Sequence, residues 1–425
     1  MRPWIIWGAG LLAYIVAVLD RTTMGVSGLE AAQRFAVTPG VLSTFVVIQV
    51  VIYSVAQIPA GVLLDRFGSK ALIGVGAVVL AAGQIILAFA VSMPAAVAAR
   101  AVVGLGDAVT FISVVKLASY WFPPNRVPLI TQLTLAGGQL GQVLSAVPFL
   151  AVLTGSGWTT AYISAAALGV ICAAIGVALI RDTPHGHHAG IETPTLGELL
   201  ASIRTVWSNP GTRLGFFTHM SSTFPIMIFN YMWGVPYLTA AQGVSTEVAG
   251  SLLTVSVVSA SAIGVAVGIW TSRHPRRRLL MVLAIIASNA LTWTAVLALP
   301  HRAPLWLLVA LVVALSAGAP ASMVGLDFAR TYNPSKTLGI AKGIVNMGGF
   351  LAALTAMQVM GFILEATDDY SFGSFRLAWT VQYPVWVLGA IAILVTGRKA
   401  RRHTEIEHRQ NWAAISETSL TADVD

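Results

Sequence analysis

Polar positions in this chain arrive in short bursts between long apolar runs. The runs cover about residues 4–27, 42–64, 71–91, 95–120, 128–152 and 158–180, then 213–238, 247–271, 279–299, 304–328, 338–363 and 375–397. A helix needs roughly 20 mostly apolar residues to cross a bilayer, and each run is close to that. The pattern predicts an all-α integral membrane protein with twelve transmembrane helices in two bundles of six. One bundle would occupy residues 1–180 and the other 213–397. Between them lies 181–212, the longest polar stretch, which reads as a linker. It holds Pro184, Pro194 and the His185, His187 and His188 cluster, a solvated segment or, alternatively, a transition-metal site. The polar tail 398–425 is expected to be partly disordered. The start resembles a signal peptide, but Asp20-Arg21 follows the apolar run and no small-residue cleavage site does, so it is read as a retained first span.

Composition strengthens this picture. Of 425 residues 56% are hydrophobic and 10% charged, against about 25% charged in a soluble domain. Lipid must therefore solvate most of the exterior. The net charge of +8 is spread over short segments between spans and forms no continuous basic face, which argues against nucleic acid. Alternate segments collect Arg2, Arg66, Lys70, Arg126, Arg181, Arg204, Arg273, Arg276, Arg277, Arg278, Lys336 and the run Arg398 to Arg402. The positive-inside rule places these segments, and both termini, in the cytoplasm of a cell with this protein in its inner membrane. The single cysteine, Cys172, excludes an intrachain disulfide. No G-x-x-x-x-G-K-[ST] stretch is present, so no nucleotide cofactor is expected and energy would come from a gradient.

The halves echo each other. Trp121 to Arg126 leads into a span carrying Gly137-Gly138, and Tyr332 to Lys336 leads into one carrying Gly348-Gly349. Both features recur at a spacing of 211 residues (332 − 121 and 348 − 137). Gly61 and Gly264 likewise precede basic loops. Repeats around a midplane site are an architecture of secondary transporters.

The most specific motif is Gly61-Val-Leu-Leu-Asp65-Arg66-Phe-Gly68-Ser-Lys70, between the second and third spans. It resembles the loop signature of the major facilitator superfamily, G-x-x-x-D-R/K-x-G-R/K-R/K, with Ser69 at a position that is often basic. Its glycines permit a tight turn and close helix approach, and Asp65 can take hydrogen bonds from a helix N-terminus and so latch one conformation. Arg100-Ala-Val-Val-Gly104-Leu-Gly106 resembles the superfamily's R-x-x-x-G-x-G pattern, and Arg100 is grouped with the latch. Gly137-x-x-x-Gly141-Gln142 partly matches the antiporter motif, with Gln142 in place of its proline. Leu19-Asp20-Arg21-Thr22-Thr23 is similar to the branch carrying organic anions, sugar phosphates and nitrate. That resemblance makes Arg21 an anion ligand. The second arginine of the phosphate-ester exchangers is not evident in the seventh span, so a monoanion or zwitterion fits better than a phosphate dianion.

Charge inside a bilayer costs about 2.5–3.5 kcal/mol per residue on insertion scales and marks function. Asp20 and Arg21 lie in the first span. Asp107 and Lys116 lie in the fourth, two and a half turns apart, and are expected to share roughly one face. By the family resemblance, spans 1, 4, 7 and 10 line a central cavity. The substrate candidates are Arg21, Lys116, His219, Asn230, Tyr231, Tyr53 and Gln57, and the proton-coupling candidates are Asp107 and Asp20. Structural readings compete with each: an ion pair of Arg21 with Asp20 or Asp107, Lys116 snorkelling to headgroups, a core histidine, and interhelical bonding by Gln49, Tyr53, Gln57 and Asn346. Asp327 near Arg330 reads as a loop ion pair, and the Trp233-Gly234-Val-Pro236 segment as a break in the seventh span.

Together these features predict a monomeric transporter, not an enzyme. It would move a small polar anion or zwitterion by alternating access, coupled to protons or a counter-solute. A proton-coupled multidrug antiporter and a solute sensor on the same fold remain the alternatives.

Overall fold

The computed structural model describes residues 2–35, 39–183, 196–367 and 371–422. Among the described residues all regular structure is helical. Among these residues ten helices are long and apolar enough to cross a membrane. Large apolar side chains face outward on them, among them Val75, Leu291 and Trp306, the last 69% exposed. In water such faces would drive association; here they meet lipid.

The expected second and third spans run together as Pro39–Phe89, broken at Gly68, where φ is 80°. A residue with a Cβ adopts that backbone only at a cost, so the chain turns at the motif glycine. The expected break in the seventh span is present. Pro210–Ile228 gives way to two wide turns, Phe229–Trp233 and Tyr237–Ala241, on either side of Gly234–Pro236. Pro236 has no N–H for the i−4 carbonyl, and wide turns of this kind absorb the mismatch.

Two stretches hold more helix than the polar pattern implied. The stretch 181–212 contains a helix, Leu196–Ser208. Its Val206 is buried, and Trp207 meets Phe216 edge-on at 5.2 Å, so its apolar face has somewhere to pack. The tail continues as helix to Ala422 within Gln382–Ala422, rather than becoming irregular after 397. The His185, His187 and His188 cluster lies outside the described residues.

The repeated glycines share one packing role. A Cβ on Gly138 would sit 2.4 Å from the Tyr14 ring, and one on Gly349 would sit 2.2 Å from Thr223 and 2.7 Å from His219. Helix Val127–Leu144 thus docks on Arg2–Val26 as Leu338–Ala366 docks on Pro210–Ile228. The second half has its own core, centred on Trp293 stacked on Trp379 at 4.3 Å. Another apolar cluster joins the halves, taking Leu64, Ile112 and Val115 from the first and Leu326, Ile340 and Ile344 from the second.

Candidate functional site

Arg21 and Asp107 meet between helices Arg2–Val26 and Met93–Trp121. The guanidinium grips the carboxylate with two bonds, Nε to Oδ2 and Nη2 to Oδ1, both 2.7 Å. Asp107 is fully buried, whereas the Arg21 side chain keeps 24% of its surface exposed. The Tyr53 ring lies 5.2 Å from the guanidinium carbon. Asn346, from the second half, donates to the Tyr53 hydroxyl at 3.3 Å and to Gln57 Oε1 at 2.8 Å. A continuous path therefore runs from Leu338–Ala366 through Tyr53 to the ion pair. The polar stripe of Gln49, Tyr53 and Gln57 is put to use by three different partners, since Gln49 accepts from Arg100.

Asp20 points elsewhere. Consecutive helix residues diverge by about 100°, and Asp20 is fully buried with both carboxylate oxygens lacking a hydrogen-bond partner. Its backbone carbonyl accepts from Gln84 at 3.1 Å and Arg100 at 3.2 Å, and the Arg21 carbonyl accepts from Arg100 at 2.7 Å. Arg100, grouped with the latch from its motif, is instead 1% exposed among these first-helix carbonyls. It lies sixteen residues, about 24 Å of helix, from the lysine that contacts Asp65.

That lysine is Lys116. Nine residues at 100° each amount to a half-turn offset, so Asp107 and Lys116 leave opposite faces of the helix and the expected shared face is corrected. Lys116 Nζ donates to Asp65 Oδ1 at 2.6 Å and to the Leu64 carbonyl at 3.2 Å, in a pair only 3% and 7% exposed. Asp65 also accepts from the backbone N–H of Gly339 at 2.6 Å and Ile340 at 2.8 Å. These are free donors in the first turn of Leu338–Ala366. Gly61 makes the approach possible, because a Cβ there would lie 2.4 Å from the Gly339 carbonyl. Arg66 stacks over Phe67 at 4.7 Å, and the Lys70 N–H donates to Asp182 at 2.8 Å.

Sequence reasoning missed Lys342, although it falls inside the expected 338–363 span. Its buried ammonium crosses between halves to the Val115 carbonyl at 3.0 Å and Ser119 Oγ at 2.9 Å. It and Gln132, which donates to the Pro320 carbonyl at 2.7 Å, join Asp65 in sealing one end of the interface. Asp327 pairs with Arg330 at 2.6 Å, as read from the sequence, and also with Arg278. Its offset from Lys116 is again 211 (327 − 116). The second half thus repeats the Asp65–Lys116 pair with the charges exchanged.

Of the seventh-span candidates, Tyr231 comes within electrostatic range of Tyr14, a neighbour of Arg21, while His219 and Asn230 have partners of their own. His219 is 2% exposed and accepts at Nδ1 from the Gly349 N–H at 3.2 Å. Asn230 donates to Ser256 at 3.3 Å, and Tyr231 is 50% exposed. Among the described residues no group of His, Cys, Asp and Glu is placed to hold a metal ion.

Comparison with known proteins accords with this architecture. The family model described as Major Facilitator Superfamily matches residues 10–233 and again 215–422. A probable sulfoacetate transporter of Cupriavidus necator is 23% identical over 415 residues, covering 92% of this chain and 93% of the relative. A probable galactarate/D-glucarate transporter of Bacillus subtilis is 24% identical over 356 residues, covering 75% of this chain and 76% of the relative. Among solved structures, a proton:xylose symporter bound to 6-bromo-6-deoxy-D-glucose superposes with a TM-score of 0.70 at 15% identity. That match covers 92% of this chain and 94% of the symporter. Two family matches, one on each half, together span the helical chain: it belongs to the major facilitator superfamily of membrane transporters.

Proposed function

We propose that the protein is a secondary active transporter for a small organic monoanion, working by alternating access with proton symport. The observation that carries the reading is the buried Asp107 clamped to a partly exposed Arg21. Arg21 is the substrate cation, and its fork matches a carboxylate or sulfonate bidentately. An incoming anion competes with Asp107 for it. Two anions about 4 Å apart at an effective dielectric near 20 repel by about 4 kcal/mol, equivalent to about three pH units. Protonating Asp107 removes that repulsion, so proton and anion enter together. Asp20, buried without a partner for its oxygens, is the second proton carrier. The relatives named as a probable sulfoacetate transporter and a probable galactarate/D-glucarate transporter support an organic acid. The engagement of Lys116 and Lys342 elsewhere supports a single anionic group.

The bundles are residues 1–180 and 213–397, with 181–212 as the cytoplasmic linker and 398–425 as the cytoplasmic tail. Two observations support twelve crossings. The stretch Ile48–Phe89, 42 residues, would be about 63 Å long if straight, twice the roughly 30 Å hydrocarbon core, and it divides at Gly68. The polar-rich, broken stretch 210–241 supplies the other crossing. The basic loops support a cytoplasmic Asp65 end and cytoplasmic termini, and the reading takes the protein as a monomer in the inner membrane. The present state is then closed inward, with Arg21 reached from outside.

The test is uptake into proteoliposomes of a hexuronate, which is a monoanion, and of the dianions sulfoacetate and D-glucarate, with and without an inward proton gradient. The reading expects acid-driven uptake of the hexuronate. Uptake of none of them, uptake of the dianions alone, or uptake indifferent to the gradient would refute it.

A further inference from the structure

A groove of about 580 Å³, whose lining includes none of the residues around Arg21, opens on the lipid-facing surface between Pro39–Phe89 beyond Gly68 and Trp158–Leu179. Phe67, Val75, Val78 and Val79 line one wall, and Ala173 and Val177 the other. Val75 and Val177 are 61% and 57% exposed, so the groove is shallow, apolar and open to the bilayer. Its polar groups sit at one end, where Lys70 and Asp182 close it. The Arg66 guanidinium lies over Phe67 at the same end, and Arg181 is next to Asp182 in sequence. Among the described residues, no carboxylate pairs with the charged groups of Lys70, Arg66 or Arg181.

From this we infer that the groove is a binding site for one anionic phospholipid of the leaflet on the Asp65 side. From Lys70 to Val79 the wall is about 14 Å long, close to half of the roughly 30 Å hydrocarbon core. An acyl chain lying along it therefore brings its phosphate to Lys70 and Arg66. These two cations against Asp182 leave a positive rim, which a zwitterionic lipid complements less well than an anionic one. The site adjoins the Gly68 turn, so an occupied groove braces the loop that carries Asp65.

The probe is phosphatidylglycerol with a photoactivatable acyl chain, in phosphatidylcholine nanodiscs holding the full chain. Label should concentrate in peptides 67–79 and 173–177, and the matching phosphatidylcholine probe should label the perimeter evenly. Lys70→Gln should cut the phosphatidylglycerol labelling about fivefold, the factor for one basic residue at an anionic surface. Val75→Trp, which fills the groove from an exposed position, should abolish it, while Leu291→Trp on another lipid-facing surface should not. Equal labelling by both lipids, or none lost in Val75→Trp, would reduce the groove to ordinary annular contact and overturn the site. Competition by soluble glycerol phosphate would make it a free-anion site, and a dimer crosslinked through Val75→Cys would make it a contact between copies. Either result would overturn it too.

Discussion

Asp65→Asn should unlatch the protein, and the structure sets the size of the effect. The carboxylate holds two N-terminal N–H groups of Leu338–Ala366 and the ammonium of Lys116 within 2.8 Å. Asparagine keeps one oxygen acceptor and loses the charge. The Lys116 pair lies within the first half and is lost in both states, whereas the Gly339 and Ile340 bonds cross between the halves, so their loss falls on the closed state alone. A hydrogen bond to a charged group contributes about 1.5–3 kcal/mol, and with one acceptor left for two donors the closed state loses about 3 kcal/mol. About 3 kcal/mol corresponds to a shift of roughly 100-fold in the closed-to-open ratio. Spin labels at the exposed positions Arg126 and Arg276, in a Cys172→Ser background, report the separation at that end by pulsed electron resonance. Wild type should give a short distance, and Asp65→Asn should add a dominant longer one. A distribution unchanged by the substitution would refute the reasoning, because the latch would then contribute equally to both states.

Other substitutions probe separate parts of the mechanism. Arg21→Lys should lose at least 100-fold in anion uptake while inserting normally, since an ammonium cannot reproduce the two-bond fork; near-normal uptake would remove Arg21 from the site. Asp107→Asn should abolish the dependence of uptake on the pH gradient yet spare exchange of substrate across the membrane, measured with labelled anion on both sides. A Gly343→Ala side chain would lie 2.2 Å from the Gln57 carbonyl, so the halves could not close, and the same spin labels should report the open distance. Lys342→Met should weaken closure as well, by about 1–3 kcal/mol for the hydrogen bonds of a charged donor, an effect smaller than that of Asp65→Asn in the same assay.

The apolar runs determined the helices by themselves, because a backbone in lipid has to satisfy its own hydrogen bonds and the length to be crossed is set by the bilayer. Gly61, Asp65 and Gly68 were equally legible, since a turn and a helix cap demand those residue types locally. The half-turn offset between Asp107 and Lys116 was also present in their spacing, although the shared cavity face first expected for them does not follow from it. What the spacing did not contain was the partner of each charge. Arg21 reaches Asp107 over 86 positions, and Gly339 reaches Asp65 over 274. Such meetings depend on how glycine-lined helices approach, which no local pattern encodes. Lys342 shows the same limit: its ammonium is tolerable in the membrane only because folding delivers the Val115 carbonyl and Ser119 to it. Tertiary structure decided which buried charges face the site and which hold it shut.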